Sequence, residues 1–178
     1  MYFQAIAGIV AGLCAGVVSG IMFLLMRVPQ HDGLAYSVLT VISRAIGSND
    51  PSVGWSYHLF NAAVIGVIFG VIVGRSVNNL FTAVALGLVA SLSSWLLAGL
   101  ILLPRVAESG SGFADLVLSP LGLATLIGSG VQGILLGAIY LWVYNPIRLD
   151  EIHMGKVYRS DNCQTVAADK GVSGRIRS

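Results

Sequence analysis

Long apolar stretches separated by short polar segments fill most of residues 1–146. Four of these stretches reach about 20 residues or more, the length that an α-helix needs to cross a hydrocarbon core about 30 Å thick. They cover residues 6–27, 51–75, 80–103 and 120–144. The pattern predicts an all-α polytopic membrane bundle of four transmembrane helices.

Helix-start and helix-stop residues flank these stretches. The pairs Asp50-Pro51 and Ser119-Pro120 each place a capping side chain before a proline at the first helical position. A proline, which cannot continue a helix, follows the first and fourth stretches and directly follows Leu103 in the third. The helix ends indicated by these residues agree with the ends of the apolar stretches.

The segments between the spans are shorter and more polar. Residues 33–47 have apolar side chains at helical spacing, but about 14 residues are too few to span, so we expect a short interfacial helix between the first two spans. Residues 107–118 are rich in Gly and Ser and predict an exposed connection. Residues 147–178 form a polar C-terminal tail outside the membrane bundle of residues 1–146.

The composition excludes a soluble domain. Only 10% of the residues are charged and 56% are hydrophobic, whereas a soluble domain carries about 25% charged residues. The net charge of +2 comes from scattered basic residues, which argues against a nucleic-acid partner.

Cys14 and Cys163 lie far apart in the chain, so no disulfide is predicted. The N-terminal stretch lacks the basic region of a cleaved signal and is interpreted as a retained first span.

Basic residues near the span ends indicate the orientation in the membrane. Residues 75, 148, 156 and 159 are basic and lie on one side, whereas the opposite side carries Arg27, Arg44 and Arg105. The excess of one basic residue favours a cytoplasmic N-terminus and a cytoplasmic tail. This predicts a protein of a cytoplasmic membrane with both ends of the chain on the cytoplasmic side.

Small residues recur every four positions along each span. Such spacing puts them on one side of a helix, where they let neighbouring helices approach closely in lipid. The pattern therefore predicts helix packing through these glycines. They are Gly8, Gly12, Gly16 and Gly20 in the first span, Gly66, Gly70 and Gly74 in the second, Gly87 in the third, and Gly133 and Gly137 in the fourth.

The first and third spans resemble each other, which predicts an internal duplication. Residues 12, 16, 19 and 29 superpose on residues 87, 91, 94 and 104 at one constant offset. The fourth span aligns with the second in two registers, one placing Gly66 on Gly133 and the other placing His58 on Ser129. Because each repeat holds two spans, the four helices would form two parallel repeats.

Several of these features together resemble a known type of protein. They are the small-residue-rich first span ending at 26–29, the short helix, residues 54–58 and the glycines of 66–70. The first 145 or so residues resemble a group of uncharacterised small prokaryotic four-span membrane proteins made of two glycine-rich helical hairpins. Relatives of this kind often carry a second histidine in the fourth span, where this chain has Ser129. The resemblance implies an architecture and no activity.

Three polar side chains, His58, Asn61 and Gln132, fall inside the spans, which contain no acidic residue and no lysine. An ionisable residue at membrane depth is a candidate functional residue. His58 could hydrogen-bond to a neighbouring helix, bind a cofactor or take part in transport, and Asn61 could bridge to Gln132. We predict no cofactor and no metal site, with His58 as the candidate position if a cofactor is bound.

No sequence motif points to catalysis, since HExxH, GxSxG, phosphate-loop and CxxC patterns are missing from the sequence. We expect a non-catalytic accessory or structural subunit that contacts the lipid bilayer and associates with other membrane subunits or with itself. An oligomeric channel or transporter is the alternative, and a haem- or quinone-associated electron-transfer subunit is the third. A conduit would require polar groups along one side of several spans, and the small number of such groups here favours the structural subunit.

Overall fold

The computed structural model describes residues 2–30, 33–77, 79–106 and 117–144. The predicted connection at 107–118 falls mostly outside this part, and the predicted tail lies wholly outside it. The described part is mostly helical, and four of its helices are long and apolar enough to cross a membrane. The prediction of four transmembrane helices is therefore confirmed by length and composition.

The helices differ at their ends from the predicted spans. The first, α1, covers Tyr2–Leu25; it starts earlier because no helix-breaking residue interrupts the chain before residue 6. A short helix, α2, covers Val38–Ala45, and the second span begins as α3 at Pro51–Ile68. The third, α4, covers Leu80–Val106 and passes the proline that was expected to stop it. The fourth, α5, covers Pro120–Tyr144.

The C-terminal end of the second span departs from regular α-helix. Phe69–Val73 form a π-helical turn and Gly74–Ser76 a 3₁₀ turn. A π-helical turn is wider than an α-helical one, and a 3₁₀ turn is tighter. The buried Phe69 ring packs edge-to-face on Tyr140 of α5, with 5.2 Å between ring centroids. This contact joins the ends of α3 and α5.

A small β-hairpin, which was not predicted, precedes α2. Strand β1 covers Arg27–Pro29 and pairs antiparallel with β2 at Ala35–Ser37. The fold remains mostly helical, and α2 is shorter than the predicted segment because residues 35–37 belong to the hairpin. The Ser37 hydroxyl accepts a hydrogen bond from the backbone N–H of Thr40 and caps α2. The hairpin therefore passes directly into the short helix.

Contacts with the other elements hold α2 against the long helices. The Ser43 hydroxyl donates to the backbone carbonyl of Asp50, 2.8 Å away, and the Arg44 guanidinium lies 3.8 Å from the centre of the Tyr36 ring. A Cβ on Gly54 would overlap the carbonyl oxygen of Leu39, so the backbones of α2 and α3 touch. The apolar side of α2 is thereby placed against the bundle.

Helices α1 and α3 run antiparallel and touch through their backbones. A Cβ added to Gly12 would meet the carbonyl oxygen of Ala62 and lie 3.0 Å from the Cα of Gly66. Gly8 meets Gly66 and Gly70 in the same way, and one turn further along Gly16 meets the Ala62 side chain. Only residues without a bulky side chain fit at these positions.

Helices α4 and α5 form a second antiparallel pair with the same kind of contact. A Cβ on Gly87 would meet the carbonyl oxygen of Gly133 and lie 3.2 Å from the Cα of Gly137, and a Cβ on Gly137 would meet the carbonyl oxygen of Ala83. Two glycines have different neighbours. Gly20 faces the rings of Trp55 and His58, and Gly74 faces the Tyr140 hydroxyl group.

Candidate binding cavity and its polar network

His58 lies seven residues after the start of α3, about 10 Å along the helix axis at 1.5 Å per residue. Its Nε2 lies 3.1 Å from the carbonyl oxygen of Gly16 and 3.1 Å from the Ser19 hydroxyl oxygen, both on α1. The Ser19 hydroxyl in turn lies 3.3 Å from Oε1 of Gln132 on α5. Ser19, His58 and Gln132 form a polar network that links three transmembrane helices.

The donors and acceptors in this network determine which nitrogen of His58 carries hydrogen. A carbonyl oxygen only accepts, so the contact with Gly16 requires Nε2–H as the donor. The Ser19 hydroxyl can then donate to Oε1 of Gln132, which also only accepts. In the neutral ring, Nδ1 remains an acceptor, and no described residue donates a hydrogen bond to it.

The surrounding side chains hold the His58 ring in place. The Phe23 ring packs on it edge-to-face at 5.2 Å between centroids. Gly20 leaves room for the ring, since a Cβ there would lie 3.1 Å from Cδ2 of His58. His58 is only 7% exposed, Gln132 6% and Ser19 fully buried. The network is therefore a buried, packed unit.

A cavity of about 200 Å³ adjoins the network. It lies between the middle of α3, the N-terminal half of α5 and the C-terminal half of α4, with α2 at one end. Apolar side chains supply much of its wall, among them Phe23, Ile42, Ile65 and Leu121. Among the residues that the structure describes, its lining contains no Asp, Glu, Lys or Arg. The described wall of the cavity is thus uncharged.

Polar side chains from α3, α4 and α5 converge on this cavity. Six polar residues of its lining are His58, Asn61, Ser91, Ser94, Ser129 and Gln132. The Trp95 indole N–H donates to the Thr125 hydroxyl at 3.0 Å, and that hydroxyl donates to the Leu121 carbonyl at 2.8 Å. These last two polar groups are already paired.

Ser91 differs from the other lining residues in being buried without a partner. It is 3% exposed, and its hydroxyl oxygen has no hydrogen-bond partner in the described part of the chain. A buried hydroxyl that lacks a partner costs about 1–3 kcal/mol. Ser91 would therefore gain from a polar group placed in the cavity.

The three polar residues singled out in the sequence all line this cavity, and the observed pairing is not the bridge that the sequence left possible. Gln132 bonds to Ser19 rather than to Asn61. Sequence reasoning missed Ser19 and Ser91 because each lies among small residues that are typical of helix packing. A buried histidine needs a hydrogen-bond partner, and this requirement was the signal that could have pointed to Ser19. Ser129 of α5 lines the same cavity.

No group of three or more His, Cys, Asp and Glu side chains that could hold a metal ion occurs among the described residues. Ligation of a haem iron by Nε2 of His58 would require breaking its contacts with Gly16 and Ser19.

No family model matches the chain, and no curated protein and no solved structure matches it either.

Proposed function

We propose that this chain is a non-catalytic integral membrane protein that binds a small neutral molecule between its helices. The observation that carries the proposal is the convergence of polar side chains from three transmembrane helices on one cavity whose described lining is uncharged. Ligand sites are typically apolar chambers with a few polar groups that orient the ligand. A cavity lined by His58, Ser91 and Gln132 has this character.

Transport of the bound molecule is the form of this function that the same observation favours. A conduit needs polar groups on several spans, and here they come from α3, α4 and α5. The cavity occupies the half of the bundle that contains the C-terminal end of α1. With a cytoplasmic N-terminus, as the basic residues favour in a prokaryotic cytoplasmic membrane, this half is the non-cytoplasmic one.

Membership in a larger membrane assembly is the second candidate, supported by the exposure of α4. Only 17% of the apolar window of α4 is buried, compared with 44% in α1. Its large exposed side chains include Val89, Leu92 and Leu97. The face offers room for lipid or for the helices of another subunit, so a binding subunit of an assembly would combine both proposals.

We also propose that the bundle arose from two parallel repeats. The contacts of Gly12 with Ala62 and Gly66 correspond to those of Gly87 with Gly133 and Gly137. This correspondence favours the register that aligns His58 with Ser129 over the one that aligns Gly66 with Gly133. In this register His58 of one repeat corresponds to Ser129 of the other, and both residues line the cavity.

Bromobenzene binding tests the proposed function, because Trp95 lines the cavity and reports a nearby bromine atom by loss of fluorescence. The protein is placed in lipid nanodiscs and titrated with bromobenzene, and the Trp95→Phe variant gives the signal of the other tryptophans. We expect saturable quenching that is assigned to Trp95. Ser129→Phe, which fills the cavity, is expected to abolish it.

Ser93→Phe is the matched control, because Ser93 is exposed on α4 and does not line the cavity. It should leave the quenching curve unchanged. Quenching that rises linearly with concentration in every variant would show partition into lipid alone and refute a binding cavity. Far-UV circular dichroism verifies that each variant keeps its helices.

A further inference from the structure

The cavity leaves two hydrogen-bonding groups unmet, and they differ in what they require. Nδ1 of His58 is an acceptor, since Nε2 carries the hydrogen that is donated to Gly16. It needs a donor. The Ser91 hydroxyl can donate or accept, and nothing in the described structure bonds to it. A bound molecule that satisfies both must offer a hydrogen-bond donor to His58.

The charge of such a molecule follows from the lining. The part of the cavity wall that the structure describes has no Asp, Glu, Lys or Arg to balance an ion. An unpaired charge inside the hydrocarbon region is strongly unfavourable. The described lining therefore favours a neutral molecule over phosphates, carboxylates and amines in their charged forms.

The size of the molecule follows from the volume. An apolar cavity of about 150 Å³ in another protein holds one benzene molecule. The cavity here measures about 200 Å³ and has the aromatic side chains Phe23 and Trp95 in its wall. It accommodates a single ring with one or two small substituents.

We propose that this cavity binds a compact, neutral single-ring molecule that carries a hydroxyl group, such as a phenol. Its O–H donates to Nδ1 of His58, and its oxygen is available to accept from the Ser91 hydroxyl. An ether or a ketone of the same size lacks the donor and leaves Nδ1 without a partner. The inference rests on the proposed function and specifies the ligand class for the same site.

A pair of probes that differ only in the donor tests the inference. 4-Bromophenol and its methyl ether, 4-bromoanisole, are titrated into the full-length protein in nanodiscs, again with Trp95 quenching as the readout. A phenol titrates near pH 10, so the probe is neutral at about pH 7. Trp95→Phe and empty nanodiscs correct for partition into lipid. We expect the phenol to bind at least about fivefold more tightly than the ether.

Two variants assign this preference to the two side chains. In His58→Gln, the side-chain NH₂ of glutamine can still donate to the Gly16 carbonyl oxygen. The glutamine offers no acceptor at the position of Nδ1. The preference for the phenol should fall below about twofold. Ser91→Ala should weaken phenol binding by about threefold or more. Ser93→Ala, the matched control on the exposed face of α4, should change neither probe.

The outcomes separate this inference from the proposed function. Loss of the preference in His58→Gln, with Ser93→Ala unchanged, supports a hydroxylated ligand. Equal affinities for the phenol and the ether, with saturable bromobenzene binding retained, overturn the ligand class and leave the binding function standing. Absence of saturable binding for all three probes overturns both and leaves ordered water as the occupant of the cavity.

Discussion

A single methyl group at Gly66 tests the backbone contact between α1 and α3. In Gly66→Ala the new Cβ would overlap the carbonyl oxygen of Gly8 and lie 3.0 Å from the Cα of Gly12, where 3.4–4 Å is ordinary contact. Both obstacles are backbone atoms, so no side-chain rotation relieves the overlap. The two helices must separate to accept the alanine.

The size of the effect follows from two opposing terms. Overpacking in a close-packed interior costs about 1–3 kcal/mol. Alanine is favoured over glycine inside a helix by about 1 kcal/mol. Gly130→Ala in α5 provides the matched control, because nothing lies within 4 Å of a Cβ at that position. The helix propensity is common to both variants and cancels, so their stabilities should differ by about 1–3 kcal/mol.

The assay is reversible unfolding by added SDS from a mild detergent, followed by far-UV circular dichroism. We expect Gly66→Ala to unfold at a lower SDS fraction than the native protein, and Gly130→Ala to unfold at the same fraction or a higher one. Equal stability of the two variants would show that α1 and α3 do not touch through these backbones, and would refute the packing described for this pair.

Further predictions use the same unfolding assay. Ser19→Ala removes the group that joins His58 to Gln132 and should cost about 1 kcal/mol relative to Ser93→Ala; equal stability would mean that the network does not join the helices. Gly47→Ala should destabilise by about 1 kcal/mol, because Gly47 has φ +84°, and no loss would contradict that backbone geometry. Hydrogen bonds from the Ser52 side chain and backbone N–H lower the pKa of Asp50 from its usual 3.8. The stabilisation by this cap is therefore present above pH 3.8 and lost as the pH falls through the lower folded pKa, and Asp50→Asn should remove that acid dependence; an unchanged dependence would assign it to other carboxyl groups.

The sequence was informative about the long helices and less so about the short elements. Apolar length alone identifies a membrane span, since the hydrocarbon core sets the number of residues that it needs. The hairpin of Arg27–Pro29 and Ala35–Ser37 has three residues per strand, too few for an alternating pattern to be visible. Its pairing also shortens α2, because residues 35–37 are extended and Ser37 caps the helix.

The polar network and its cavity were only partly predictable from the sequence. His58 and Gln132 stand out as polar residues in apolar spans, but a sequence does not tell which helix each will face. Ser19 and Ser91 are separated by 72 positions and look like packing residues, yet one completes the network and the other lines the cavity. Their roles depend on the rotation of α1 and α4 about their axes, which packing in three dimensions determines.

The contact of α1 with α3 through Gly8, Gly12 and Gly66 has a consequence for how the protein assembles. These residues have no side chain, so docking the two helices freezes no rotamers at the points of closest approach. In a membrane, where helices form before they associate, such a pair loses little entropy when it meets. We expect the pair of α1 and α3 to form first, and the cavity to be completed when α4 and α5 dock on this pair.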